Sequence, residues 1–313
     1  MSLTQIPTLD IRQFTNDKEN FVKQVGEAYK QFGFCGFNNH GVTDELVERA
    51  FTVTQAFFDL PTEIKQQYFI VNQGGARGYT AKGVEKAKDS KHVDLKEFWH
   101  VGREFDGDAP HASLFPNVWP KEVTEFKAVT LELYNALENL GNQVLRALAL
   151  VLEQQEQYFE DKTEHGNSIL RLIHYPPIED TSTQSIRAGQ HEDINLITLL
   201  VGSHEAGLEI LKRDGSWLPV TMLPGAIVVN IGDMLQRLTN NVLPSTTHRV
   251  VNPQGEASQS PRYSMPFFLH PNPEFLIDSL SSCVSDENPN QYETPITANA
   301  YLTQRLTEIG LMG

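Results

Sequence analysis

A histidine and an aspartate two residues apart, His191 and Asp193, and a second histidine much later, His248, constrain this chain more than any other feature. In a β-strand, residues two apart point to the same side, so Gly189-Gln190-His191-Glu192-Asp193 presents a preset pair of metal ligands while Glu192 turns away. The third ligand has to be delivered by tertiary structure. His248 opens a strand-like run, His248-Arg249-Val250-Val251, and the site closes only if the chain between folds into a barrel. Two imidazoles and one carboxylate on one side of a metal leave the other side open, which suits non-haem Fe(II) taking up O2 and an organic chelator. Structural zinc sites are closed and usually cysteine-rich, a poor match.

Arg262 and Ser264 repeat the two-apart spacing and share a face. Between His248 and Arg262 lies Asn252-Pro253-Gln254-Gly255-Glu256, with the residues of a loop between antiparallel strands. A hairpin folding about position 256 sets His248 opposite Ser264. A guanidinium matches a carboxylate with two parallel hydrogen bonds and a hydroxyl adds a third donor, so an acid anchored there reaches the metal with its other end.

The rest of the chain reads as scaffold around that site. Short apolar strands separated by turn signals run from Ser168–Tyr175 through 196–201, 208–211, 226–231 and 248–251 to 263–269, with Arg213-Asp214-Gly215 as a hairpin turn. Many short strands with long returns predict a double-sheet jelly roll flanked by helices, a mainly β member of the α+β class. Helical spacing predicts helices over 18–32, stopped by Gly33, from Thr43 as cap to about Phe57, over 121–152, and over 299–311. Residues 72–116 are rich in glycine, proline and aromatics and read as an irregular binding segment. The division expected is 1–120, a helix and strand region, and 121–313, the jelly-roll core, joined as one unit. Asn230, Gly232 and Asp233 read as turn and packing residues, and His174 as a structural histidine.

The ligand motifs, in this order, resemble the 2-oxoglutarate/Fe(II)-dependent dioxygenases, in the branch that includes isopenicillin N synthase and the plant flavonoid and gibberellin oxygenases. The similarity extends over nearly the whole chain: Ile6-Pro7-Thr8-Leu9-Asp10, the stretch from Gly33 to Gly41, Asp94-Leu95-Lys96-Glu97, and His191-Glu192-Asp193-Ile194-Asn195-Leu196-Ile197-Thr198. An HxD pair alone is a weak signal, since His92-Val93-Asp94 is a second one. The resemblance implies Fe(II) held by His191, Asp193 and His248, and 2-oxoglutarate held by Arg262 and Ser264, with the Tyr175 phenol beside them. Some relatives carry an asparagine two positions before that tyrosine, where this chain has Ile173. It further implies O2-dependent decarboxylation of 2-oxoglutarate coupled to hydroxylation, desaturation or cyclisation of a small molecule. Arg77, Tyr79, Phe98 and Trp99 are the candidate substrate contacts from 72–116, and Phe267 the candidate on the run after Ser264. Two other readings remain: an isopenicillin N synthase-like oxidase without 2-oxoglutarate, and a metal-bearing barrel that binds a small acid without turnover.

Composition narrows the partners. With 25 basic and 40 acidic residues the net charge is −15, which repels a phosphate backbone, so no nucleic-acid partner is expected. No apolar run approaches the roughly 18 residues that span a bilayer, so no membrane partner is expected either. No obligate protein partner is indicated. Met1-Ser2-Leu3-Thr4-Gln5 lacks a basic start followed by an apolar stretch, so no signal peptide is expected. Two cysteines, Cys35 and Cys283, make no disulfide framework, and a reducing cytoplasm is the expected compartment.

Overall fold

The computed structural model describes residues 5–71, 75–84, 94–105, 107, 109, 111–178, 187–202, 207–221, 223–252 and 259–308. The N-terminal part contributes strands β1 (Thr8–Asp10), β2 (Phe34–Asn38), β3 (Gly78–Thr80) and β4 (Glu97–Gly102). Ten more follow: β5 (Ile169–Tyr175), β6 (Ala188–His191), β7 (Ile197–Val201), β8 (Leu208–Leu211), β9 (Trp217–Pro219), β10 (Ile227–Ile231), β11 (His248–Val250), β12 (Arg262–Leu269), β13 (Leu276–Ile277) and β14 (Ile296–Thr297). The helices are α1 (Gln13–Asn16), α2 (Lys18–Phe32), α3 (Asp44–Phe58), α4 (Thr62–Lys65), α5 (Phe126–Val151), α6 (Glu160–Thr163), α7 (Asp233–Leu238) and α8 (Ala298–Glu308).

Eight strands form one sheet in the order β1-β2-β10-β7-β12-β5-β4-β3, and four form a second in the order β6-β11-β8-β9. From β5 to β12 the chain passes repeatedly between the two sheets, which is the double-sheet arrangement expected of a jelly roll. Apolar alternation drives it: each strand of the large sheet turns one set of side chains to the helices and the other to the space between the sheets. The helix side is covered by α5, which packs on β4, β5, β7 and β12. Leu133, Leu137, Leu140, Val144 and Leu148 form its buried stripe. Gly141 has a reason to interrupt that stripe, since a Cβ there would stand 2.5 Å from Leu269 Cδ1. At the other helices the local signals work as expected. Thr43 accepts from Leu46 N at the start of α3, and Gly33, at φ 67°, ends α2 in the left-handed conformation.

Three expectations are corrected. The long helix starts at Phe126, not 121, because 121–125 form turns before it. Part of 72–116 is regular: β3 and β4 extend the edge of the large sheet, while 72–74, 85–93, 106, 108 and 110 lie outside the described residues. The hairpin that would set His248 opposite Ser264 does not form. β11 pairs with β6 and β8 in the small sheet and β12 with β5 and β7 in the large one, so the chain changes sheets between them; positions 253–258 lie outside the described residues. Among the described residues no helix is long and apolar enough to cross a membrane.

Candidate metal centre

The change of sheet brings the ligands together across strands. His248 lies directly opposite His191 in the β11–β6 pair, and the two rings are 4.4 Å apart. Strand alternation does not account for Asp193, because β6 ends at His191 and Asp193 lies beyond it. A loop turns the aspartate inward instead, pinned by Asp233 N donating to Asp193 O at 2.8 Å. Glu192 turns away as expected, accepting from Thr247 Oγ1 at 2.7 Å.

The hydrogen bonds around the three side chains determine which atoms stay available. His191 Nδ1 is 2.6 Å from Gly189 O, and His248 Nδ1 is 3.1 Å from Thr246 O. A carbonyl only accepts, so each Nδ1 carries a proton, and in the neutral imidazole that tautomer leaves the Nε2 lone pair facing the cavity. Asp193 Oδ2 accepts from Thr198 Oγ1 at 2.6 Å and from Asn230 Nδ2 at 2.8 Å. Its Oδ1 faces both Nε2 atoms at 3.8 Å, beyond hydrogen-bonding range. Three lone-pair donors thus converge, and among the described residues they are the group able to hold a metal ion.

Protonation states agree with that role. Burial pushes the His191 imidazole down to about 4, helped by His248 and opposed by Asp193, so it is neutral near pH 7. Burial pushes the Asp193 carboxyl up, but the facing imidazoles and the Asn230 and Thr198 hydrogen bonds outweigh it and hold the acid below its usual value. Two imidazole nitrogens and one carboxylate match the donor set of non-haem Fe(II).

The triad lines a cavity between the two sheets, whose wall also includes Arg262, Ser264 and Tyr175. Arg262 pairs with Tyr175 across β12 and β5, its Cζ 5.1 Å above the phenol ring, and Ser264 pairs with Ile173. Arg262 is 3 % exposed, and its Nε and Nη1 have no hydrogen-bond partner among the described residues. A buried guanidinium with unmet donors is costly unless an anion completes it, so a carboxylate fits here.

The five expected substrate contacts are not among the residues lining this cavity. Ser264 faces the cavity, so Pro266 and Phe268 do too, and Phe267 points the other way, its ring 4.9 Å from Tyr134 of α5. Trp99 likewise packs behind the sheet against Phe57 and Phe126. Tyr79 donates to Glu97 Oε2 at 2.5 Å, and Arg77 is spent on Phe115 O, Ala76 O and Asn167 Oδ1. Phe98 comes nearest, its ring 4.3 Å from Cζ of the cavity residue Arg171. Sequence reasoning missed Asn230 as the support of Asp193. The signal was a polar residue inside the wholly buried strand β10, which requires a partner.

Comparison with known proteins agrees with this geometry. Residues 6–122 match the family described as non-haem dioxygenase in morphine synthesis N-terminal, and residues 166–271 match the 2OG-Fe(II) oxygenase superfamily. A 2OG-Fe(II) oxygenase family protein from Caulobacter crescentus is 48% identical and superimposes with a TM-score of 0.90, over 97% of this chain and 99% of that one. A full-length Neurospora crassa protein crystallised in complex with alpha-KG is 30% identical, with a TM-score of 0.86 over 96% of each chain; it has also been crystallised with alpha-KG and thymine. A 2-oxoglutarate-Fe(II) type oxidoreductase of Emericella nidulans is 33% identical over 312 residues, 95% of this chain and 88% of that protein. The chain therefore belongs to the 2OG-Fe(II) oxygenase superfamily and is a 2-oxoglutarate-dependent non-haem Fe(II) dioxygenase.

Proposed function

We propose that His191, Asp193 and His248 hold the Fe(II), that Arg262, Ser264 and Tyr175 hold the far carboxylate of 2-oxoglutarate, and that a small molecule seated in the same cavity is oxidised. When bound, iron and cosubstrate supply the oxidising chemistry: O2 is consumed, 2-oxoglutarate yields succinate and CO2, and a substrate C–H bond is hydroxylated or otherwise oxidised. The chain contributes binding, orientation and dryness. The Nδ1 hydrogen bonds to Gly189 and Thr246 orient both imidazoles so that each would meet the metal through Nε2. Thr198 and Asn230 hold Asp193 Oδ2, so the carboxylate meets the ion through Oδ1. Arg262 orients the cosubstrate so that its 2-oxo acid end reaches the triad, and Phe34, Leu200, Pro266 and Phe268 line the remainder with apolar surface that excludes water.

The observation that carries this reading is the pair of unmet Arg262 donors in the cavity that holds the triad. The alpha-KG bound by the Neurospora relative favours 2-oxoglutarate over the oxidase that dispenses with it. Thymine in that relative supports a small-molecule substrate here. Free, buried Cys35 and Cys283 support a reducing cytoplasm. Strands from 1–120 and from 121–313 share one sheet, which supports their acting as a single unit.

The test is anaerobic addition of Fe(II) and then 2-oxoglutarate to metal-free protein, following the visible band of a chelated 2-oxo acid. The band forms with the wild type and is lost in His191→Ala. Arg262→Ala keeps Fe(II) but binds 2-oxoglutarate roughly 10- to 100-fold more weakly, the worth of about 1.5–3 kcal/mol for charge-assisted hydrogen bonds. Normal 2-oxoglutarate affinity in that variant would sink the clamp assignment.

A further inference from the structure

Asp193 lies in a loop beyond β6, so the strand does not aim it; the start of α7 does. Three successive amides enter that loop. Gly232 N donates to Leu196 O at 2.9 Å, Asp233 N to Asp193 O at 2.8 Å and Met234 N to Asn195 O at 3.0 Å. The approach is close enough to require glycine: a Cβ on Gly232 would stand 2.1 Å from Asn195 Oδ1 and 2.4 Å from Asn195 O. Gly232-Asp233 is therefore more than a turn, because the carboxylate that faces the metal position is set by where α7 begins.

A helix of six residues does not hold itself in place, and α7 is tied at both ends to the C-terminal segment. In its last turn Arg237 Nη2 donates to Thr294 O at 2.6 Å, and Arg237 Cζ lies 4.7 Å from the Tyr292 ring. In its first turn Asp233, 4 % exposed, pairs through Oδ2 with Arg305 Nη2 of α8 at 3.1 Å. Arg305 is itself largely buried, and its Nη1 donates to Glu308 Oε2 at 2.9 Å on the same helix. Asp233 thus works in two directions: its main chain holds the metal ligand and its side chain holds α8. A buried carboxylate is costly without a counter-charge, and among the described residues Arg305 is the cation that supplies it. Without Arg305, Asp233 relieves that cost by turning toward water, which carries its amide away from Asp193 O. We propose that Arg305 is a positioning residue for the iron site: acting through Asp233, it keeps in place the loop that presents Asp193 to the metal. This rests on the assignment of Asp193 as an iron ligand.

The experiment measures Fe(II) binding to metal-free protein by anaerobic equilibrium dialysis, beside urea unfolding of the same samples. Arg305→Gln weakens Fe(II) roughly 10-fold, the lower end of the range for outer partners of a metal ligand. Adding Asp233→Asn removes the uncompensated charge and keeps the backbone N–H at 233, so the double variant returns to within about 3-fold of the wild type. Arg237→Gln, which frees the other end of α7, lowers stability and leaves Fe(II) affinity alone. A merely structural arginine would lower stability without moving iron affinity, so normal Fe(II) affinity in folded Arg305→Gln overturns the proposal. A loss that persists in the double variant, or that Arg237→Gln matches, overturns it too, since anchoring of the helix and not the charge on Asp233 is then responsible. A wild type that does not bind Fe(II) refutes the assignment of the triad itself. Should Arg305→Gln not fold, Arg305→Lys carries the test: it keeps the charge but replaces the fork by a single ammonium, and must weaken Fe(II) by at least roughly 2-fold. Affinity equal to the wild type in that variant overturns the proposal.

Discussion

Two buried carboxylates sit beside histidine, Glu97 behind the large sheet and Asp193 in the cavity between the sheets, and the two clusters behave differently. Behind β4 and β5, Glu97 accepts from Lys65 Nζ with both oxygens at 2.9 Å, from His174 Nδ1 at 2.8 Å and from Tyr79 OH at 2.5 Å. Each of its oxygens is engaged twice. In the cavity, Asp193 Oδ2 is engaged twice and Oδ1 is left facing two imidazole lone pairs. A complete network binds strands and helix together, whereas an incomplete one whose open atoms converge binds something else. Residue type alone does not separate the two cases; the remaining lone pairs do.

Substitution separates them most sharply at His248. His248→Ala removes one of three converging donors, so Fe(II) affinity falls by more than the roughly 100-fold upper range of outer-partner mutations, and turnover is abolished. Fe(II) titration and succinate formation measure this. Glu97→Ala leaves the buried ammonium of Lys65 without its counter-charge, which costs about 3–5 kcal/mol of stability in urea unfolding. Iron affinity of the folded fraction stays near normal. A Glu97→Ala protein as stable as wild type would erase the distinction between the two clusters.

A smaller effect tests whether the neutral donors on Oδ2 shape the open side. Asn230→Ala leaves the three ligands in place but releases one hold on Asp193, and Fe(II) affinity drops roughly 10-fold. If affinity is unchanged, Thr198 suffices and Asn230 is a packing residue, as its sequence context suggested.

What could be read from the sequence follows from what is local. The His191-x-Asp193 and Arg262-x-Ser264 pairs, the Thr43 cap and the Gly33 stop are all signals within a few residues, and each sits in the structure near its expected place. The His248–Ser264 pairing failed because a hairpin loop and a crossing between sheets have the same turn residues. Phe267 failed differently: once Ser264 faces the cavity, a period of two assigns Phe268, not Phe267, to the same side. Trp99 and Tyr79 needed the partner of β4, which lies in β5 far along the chain. Asn230 acquires its role through a contact with Asp193 that no local pattern encodes.

The smallest effect compares two histidines. His174 spends Nδ1 on Glu97, but His270, 6 % exposed, has no partner for Nδ1 among the described residues. Burial pushes His270 down to about 4, with Arg77 adding to it against the opposing charge of Asp193. Its folded value lies below the ordinary value of about 6.5, so between those limits the unfolded chain binds a proton that the folded chain refuses. Stability of the metal-free protein therefore falls as pH drops from about 6.5 toward about 4, by about 1 kcal/mol at pH 5.5 from this residue. His270→Gln removes this contribution of about 1 kcal/mol from the loss between pH 7 and 5.5 in urea unfolding. An unchanged slope would mean that Nδ1 is satisfied after all, and that His270 belongs with His174 among the completed networks.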